Sequence, residues 1–176
     1  MIEMHVMGIA IDTRTGAPIV VLNDEEKRRA LPIWIGQAEA SAIIRQLENI
    51  ETARPMTHDL IISILELNSL TVEKIEINDF NETTYFATLI VKDKDGETHE
   101  IDSRPSDAIT VALKTKAPIF VTPHVLVDGS ISTDEERDEQ ESLEFKKFLN
   151  EVKPSDFKKL LENFEKSDSY NNEENS

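Results

Sequence analysis

Apolar residues alternate with polar ones along some stretches of this chain and recur every three or four residues along others, and the switches between the two rhythms mark its elements. Residues 2–12 and 18–22 read as strands joined by Thr13-Arg14-Thr15-Gly16-Ala17, a run with turn chemistry, so a hairpin is expected. Leu31-Pro32-Ile33-Trp34-Ile35 reads as a third strand ending at Gly36. Ala38, Ala42, Ile43, Leu47 and Ile50 then fall at helical spacing and predict an amphipathic helix over 37–50, with Glu39 in its first turn. Leu60, Ile61, Ile64, Leu65 and Leu67 predict a second helix, capped near Thr57 and running to about residue 68.

Near-alternation returns at 71–78 and 84–92, and Asp93-Lys94-Asp95-Gly96 turns the chain into a strand at 97–102, giving a meander of three strands. Ala108, Ile109, Val111, Ala112 and Leu113 predict a buried helix, Pro118 to Val121 a short strand, and 123–130 a loop or edge strand. The predicted fold is therefore α+β, a mixed or antiparallel sheet with helices packed on it, with residues 1–131 as the core domain. A C-terminal helical extension is expected over 132–165, from apolar stripes such as Phe157, Leu160, Leu161 and Phe164, followed by a polar, disordered tail over 166–176.

Composition narrows the setting. The chain is 39% hydrophobic and 31% charged over 176 residues, and no apolar run approaches the ~20 residues of a membrane span, so no membrane partner is expected. The first residues lack a basic stretch followed by an apolar one, and cysteine is absent, which together predict a cytoplasmic protein without disulfides or thiolate zinc sites. Net charge is −16, of which residues 134–176 supply −7 through 14 acids and 7 bases, leaving the rest acidic as well. A nucleic-acid ligand therefore needs a local basic spot or divalent cations that reverse the local sign.

Two polar runs carry the candidate chemistry: Arg54-Pro55-Met56-Thr57-His58-Asp59 and Asp102-Ser103-Arg104-Pro105-Ser106-Asp107. Each stands at the mouth of a predicted helix, where free backbone N–H groups favour anions. In the bland reading Thr57 and Ser106 are N-caps, Asp59 and Asp107 complement the helix dipole, and the two arginines pair with carboxylates as structural ion pairs. In the functional reading His58, between a hydroxyl and a carboxylate, is a general base or metal ligand. Asp102 and Asp107, ending a strand and starting a helix, aim two hard oxygen ligands at one point, with Asp59 and Glu39 joining them. No Walker loop, dinucleotide fingerprint, zinc motif or Gly-x-Ser-x-Gly occurs, which excludes standard nucleotide and hydrolase machinery at motif level.

Taken in order, Leu31 to Gly36, Glu39-Ala40, Arg54 to Leu60 and Asp102 to Ile109 resemble the bifunctional nuclease family, the BFN domain, over roughly residues 1–130. The resemblance implies an α+β domain, a homo-oligomer, and a nuclease acting on RNA and DNA. Carried onto this chain, it marks Glu39, Arg54, Thr57, His58, Asp59, Asp102, Arg104, Ser106 and Asp107 as the site. From their chemistry we expect His58, Asp59, Asp102, Asp107 and Glu39 in catalysis and Arg54, Thr57, Arg104 and Ser106 in substrate binding: Asp102 and Asp107, with Asp59 or Glu39, would hold one or two magnesium or manganese ions that activate water, and Arg54 with Arg104 would steady the phosphorane charge. A rival reading uses the same cleft without catalysis, as a binding or regulatory module for an anionic ligand or a protein partner.

Overall fold

A computed structural model describes residues 1–129, 131–132, 159 and 162–163. The strands are β1 (Ile2–Ile11), β2 (Pro18–Asp24), β3 (Arg29–Trp34), β4 (Thr71–Asn81), β5 (Thr84–Lys92), β6 (Thr98–Ser103), β7 (Ile119–Val121) and β8 (Ile131–Ser132), and the helices are α1 (Gln37–Leu47), α2 (Thr57–Leu67), α3 (Pro105–Thr115) and α4 (Pro123–Gly129). Among the described residues they form one eight-stranded sheet in the order β6-β5-β4-β7-β1-β2-β3-β8. The β4–β7 pairing is parallel and the others are antiparallel, so the sheet is mixed and the fold α+β. The expected extension and tail lie outside the described residues, apart from Lys159, Glu162 and Asn163, which are helical.

The meander β4-β5-β6 and the hairpin β1-β2 form as the alternation predicts, and Gly96 turns β5 into β6 with φ +88°, a conformation that costs an L side chain its usual clearance. β2 is buried from Pro18 to Asn23, which explains its unbroken apolar run. Val20 and Leu22 join the main core with Ile43, Ile44, Ile75, Ile77 and Ile109, whereas Ile19 and Val21 join Ala10 and Ala30 in a second cluster. Helices α1 and α3 pack on the main-core face and on each other, and α2 packs on α3.

Three expectations change. α1 ends at Leu47 rather than 50, because Asn49 turns left-handed at φ +52° and the N–H groups of Asn49 and Ile50 reach back to the carbonyls of Gln46 and Arg45. This closing motif removes the chain from the helix while Ile50 still packs against the core. Residues 123–129 form a helix instead of a loop or edge strand. Pro123 opens it, where its missing N–H costs nothing, the Leu126 N–H donates to the Thr122 carbonyl, and Val125 and Leu126 are buried. Neither Thr57 nor Ser106 is an N-cap: Met56 and Arg104 hold those positions, with Thr57 and Pro105 first in their helices.

Candidate active site

The two polar runs meet where the starts of α1, α2 and α3 come together. Arg104, the N-cap of α3, donates from Nε to Asp107 Oδ2 at 2.7 Å and from Nη1 to Glu39 Oε1 at 2.8 Å. Asp107 places its other oxygen 3.0 Å from His58 Nε2. A continuous chain of bonds thus runs Glu39–Arg104–Asp107–His58 across three helices. A carboxylate only accepts, so the proton of this last bond belongs to His58 Nε2, which leaves Nδ1 as the acceptor of the neutral ring. His58 is buried, with 9% of its surface accessible, which holds the ring in one orientation.

Local sequence sets this up. Pro105 fixes the backbone at the mouth of α3, so Arg104 stands extended just outside it and reaches Asp107 three residues on. Asp59 accepts the Met56 N–H at 2.8 Å, closing the first turn of α2, and the preceding residue, His58, faces α3, where it meets Asp107. Gly36 precedes α1, and a Cβ there would run into the Glu39 carboxylate, so the missing side chain is what lets Glu39 lie back towards Arg104. Burial opposes ionisation of Asp107, yet the hydrogen bonds from Arg104 and His58 outweigh it and hold the carboxyl below the ordinary range. Asp59 is also lowered, first by its hydrogen bond from Lys114 Nζ at 2.7 Å and then by the Met56 N–H.

Two clefts flank this chain of bonds. One, of about 500 Å³, is bordered by Arg45, the 49–56 connector, His58, Asp59 and Lys114. The other, of about 510 Å³, lies between the end of β3, the β4–β5 turn and the start of α3, and touches Glu39, Tyr85, Arg104 and Ser106. Glu39, His58, Arg104 and Asp107 are therefore bonded together, Asp59 and Arg54 border the first cleft, and Ser106 borders the second.

Thr57 is exposed and borders neither cleft. Asp102 is also not brought in: its neighbour Ser103 lies opposite Ala87, a core residue, whereas Asp102 lies opposite Thr88. Successive side chains of a strand point to opposite faces, so Asp102 projects from the face away from the helices. Lys114 carries no motif in the sequence but follows Asp107 by seven positions and so shares its helix face, and Gly36, visible in sequence only as a strand end, has a role at the site that appears once Glu39 is in place.

The expected metal pair Asp102 and Asp107 is divided between the two faces of the sheet. The carboxylates that do face each other, Glu39 and Asp107, already share the guanidinium of Arg104 between them, so a divalent cation there requires Arg104 to move aside. Among the described residues, the one group of three acid or imidazole side chains with ligand atoms within 4.8 Å of one another is Asp93, Glu97 and His99 in the β5–β6 turn, which borders neither cleft. No described helix is long and apolar enough to cross a membrane.

The fold and the site define an α+β domain with a charged, histidine-containing centre between two open clefts, built by helix starts on one side of a mixed sheet. The bifunctional nuclease domain model matches residues 20–134, and the chain belongs to this family. It is 35% identical to an uncharacterized protein of Mycobacterium tuberculosis over 89% of this chain and 98% of that protein. It is 29% identical to bifunctional nuclease 2 of Oryza sativa subsp. japonica over 59% of this chain, and 28% identical to bifunctional nuclease 1 of Arabidopsis thaliana over 66% of it. These matches span only 33% and 39% of the two plant proteins.

Proposed function

We propose that this chain hydrolyses phosphodiester bonds in nucleic acid, RNA and DNA alike. The observation that carries the reading is the bonded chain Glu39–Arg104–Asp107–His58 between two clefts, in a domain that plant proteins named bifunctional nucleases share. Asp107 fixes His58 with its proton on Nε2, so Nδ1 is the base. Water attacks phosphorus and its proton passes to Nδ1, the bond from phosphorus to the leaving oxygen breaks, that oxygen takes a proton from solvent water, and His58 returns its own to solvent. Using water, rather than the ribose 2′-hydroxyl, is what allows one site to cut both polymers. Arg104, held by Glu39, keeps Asp107 and through it the His58 ring in place.

No step is routed through magnesium or manganese, because the carboxylates that would bind the ion are engaged by Arg104. The second reading, a non-catalytic module for an anionic ligand or a protein, is favoured by that same engagement and by the net charge of −16. Cleavage of labelled single-stranded RNA and DNA separates the two. Wild type is expected to cut both, His58→Ala and Asp107→Asn to lose roughly 10²–10⁴-fold in rate, as removal of a general base does, and EDTA to leave the rate standing. Equal rates in wild type and both variants, or no cutting by any of them, would transfer the site to the binding reading. Abolition by EDTA with recovery in manganese would restore the metal expectation.

A further inference from the structure

The cleft beside His58 reverses the charge balance of the molecule. The chain carries 19 Lys and Arg against 35 Asp and Glu, yet Arg45, Arg54 and Lys114 border this cleft against Glu51 and Asp59. Lys114 is answered by Asp59. Arg54 is different: among the described residues its guanidinium makes no hydrogen bond or ion pair, although acids outnumber bases nearly two to one. Its backbone is nevertheless held, since the Thr52 hydroxyl donates to the Arg54 carbonyl at 2.7 Å. An arginine fixed in its main chain, with five donors unused among the described residues of an otherwise acidic molecule, suits an oxyanion brought from outside.

We propose that this cleft holds the phosphate of one unpaired nucleotide of a single-stranded nucleic acid, with Arg54 as its principal contact and Arg45 and Lys114 supplying field. The identity of the ligand, though not the anion site, rests on the hydrolase reading. Size argues for an unpaired nucleotide, because about 500 Å³ lies in the range of small-ligand pockets and cannot admit a duplex. Charge argues for this side of the centre over the other. In the second cleft Arg104 is already neutralised by Glu39 and Asp107, whose carboxylates repel a phosphate there.

The test is binding of a short, fluorescently labelled, single-stranded phosphorothioate oligonucleotide to the full chain, in EDTA and in magnesium, across a series of salt concentrations. Arg54→Ala is expected to weaken binding roughly tenfold, the worth of one charge-assisted contact, and to reduce the slope of log affinity against log salt by about 0.7. Arg54→Lys is expected to keep the slope, and Arg14→Ala, on the β1–β2 turn, to keep both affinity and slope. The same sequence as a duplex is expected to bind more weakly. Wild-type affinity in Arg54→Ala, equal losses in Arg54→Ala and Arg14→Ala, equal binding of duplex and single strand, or no binding by wild type would each overturn the proposal. Arg54-dependent binding by a protein that cuts nothing would sink the hydrolase reading and leave the anion site standing; cutting unaffected by Arg54→Ala would do the reverse.

Discussion

Arg104 is held from two sides, and the reach of Glu39 depends on an atom that is not there. Because the far end of a flexible side chain is what a Cβ at position 36 would meet, Gly36→Ala moves the Glu39 carboxylate at little cost to stability, within about 1 kcal/mol. Its cleavage rate is expected to match that of Glu39→Gln, both below wild type; a wild-type rate in Gly36→Ala would show that the Glu39–Arg104 bond is not used. Acid titration reads the same residues. Asp107 and Asp59 both have lowered folded-state values, so the unfolded chain takes up their protons first, and the stability they contribute is complete above the ordinary carboxylate value of about 4 and is lost as pH falls below it. Urea midpoints are expected to fall below about pH 4, and the Asp59→Asn, Asp107→Asn double variant to start lower near neutrality but fall less steeply; parallel curves would contradict the linkage. Arg104, Asp107 and His58 stood out as candidates because a polar run at a helix mouth is visible in sequence, and Glu39 because it lies in the first turn of a predicted helix. Asp102 misled because adjacency to such a run says nothing about face, and one residue of offset along a strand sends a carboxylate through the sheet.

Helix ends account for most of what the hydrophobic rhythm left open. The rhythm located α1, α2 and α3, but Ile50 kept the helical spacing after the backbone had left the helix, since a residue just past a left-handed turn folds back onto the same apolar face. α2 ends in the same way, with Ser69 at φ +57° and the Leu70 N–H on the Leu65 carbonyl. In α4 the two buried apolar residues, Val125 and Leu126, are adjacent and show no period, so a loop and a short helix look alike in sequence. The start of α2 is tied twice through Asp59, to the Met56 N–H and to Lys114 on α3. Lys114→Met removes only a partly buried ion pair and is expected to cost roughly 1 kcal/mol. Asp59→Ala removes the cap bond as well and is expected to cost roughly 1 kcal/mol more. Equal losses in the two variants, read by urea unfolding, would show that the cap bond contributes nothing.

At the level of the molecule, the strand order was not readable, because the parallel pairing of β4 with β7 joins segments separated by the meander and α3, and no local pattern announces it. That pairing makes one sheet of the two antiparallel groups, and so brings the polar runs before α2 and α3 to the same side as Glu39. One surface remains unaccounted for by this arrangement. On α2, Leu60, Ile64 and Leu67 recur at i, i+4 and i+7 and are all exposed, Leu67 at 85%, on a helix whose only acids are Asp59 and Glu66. Copies of a chain with net charge −16 repel one another over most of their surface, so an apolar stripe of low charge is where two copies meet at least electrostatic cost. We propose that the homo-oligomer implied by the family resemblance is built on α2. Light scattering after size exclusion should give a multiple of the 20.0 kDa chain mass for wild type and the single-chain mass for Leu60→Lys, Leu67→Lys. Because both positions are exposed, each change should alter stability by less than about 0.5 kcal/mol, so a lost oligomer could not be ascribed to unfolding. A multimeric variant would move the interface elsewhere, and a monomeric wild type would remove self-association altogether.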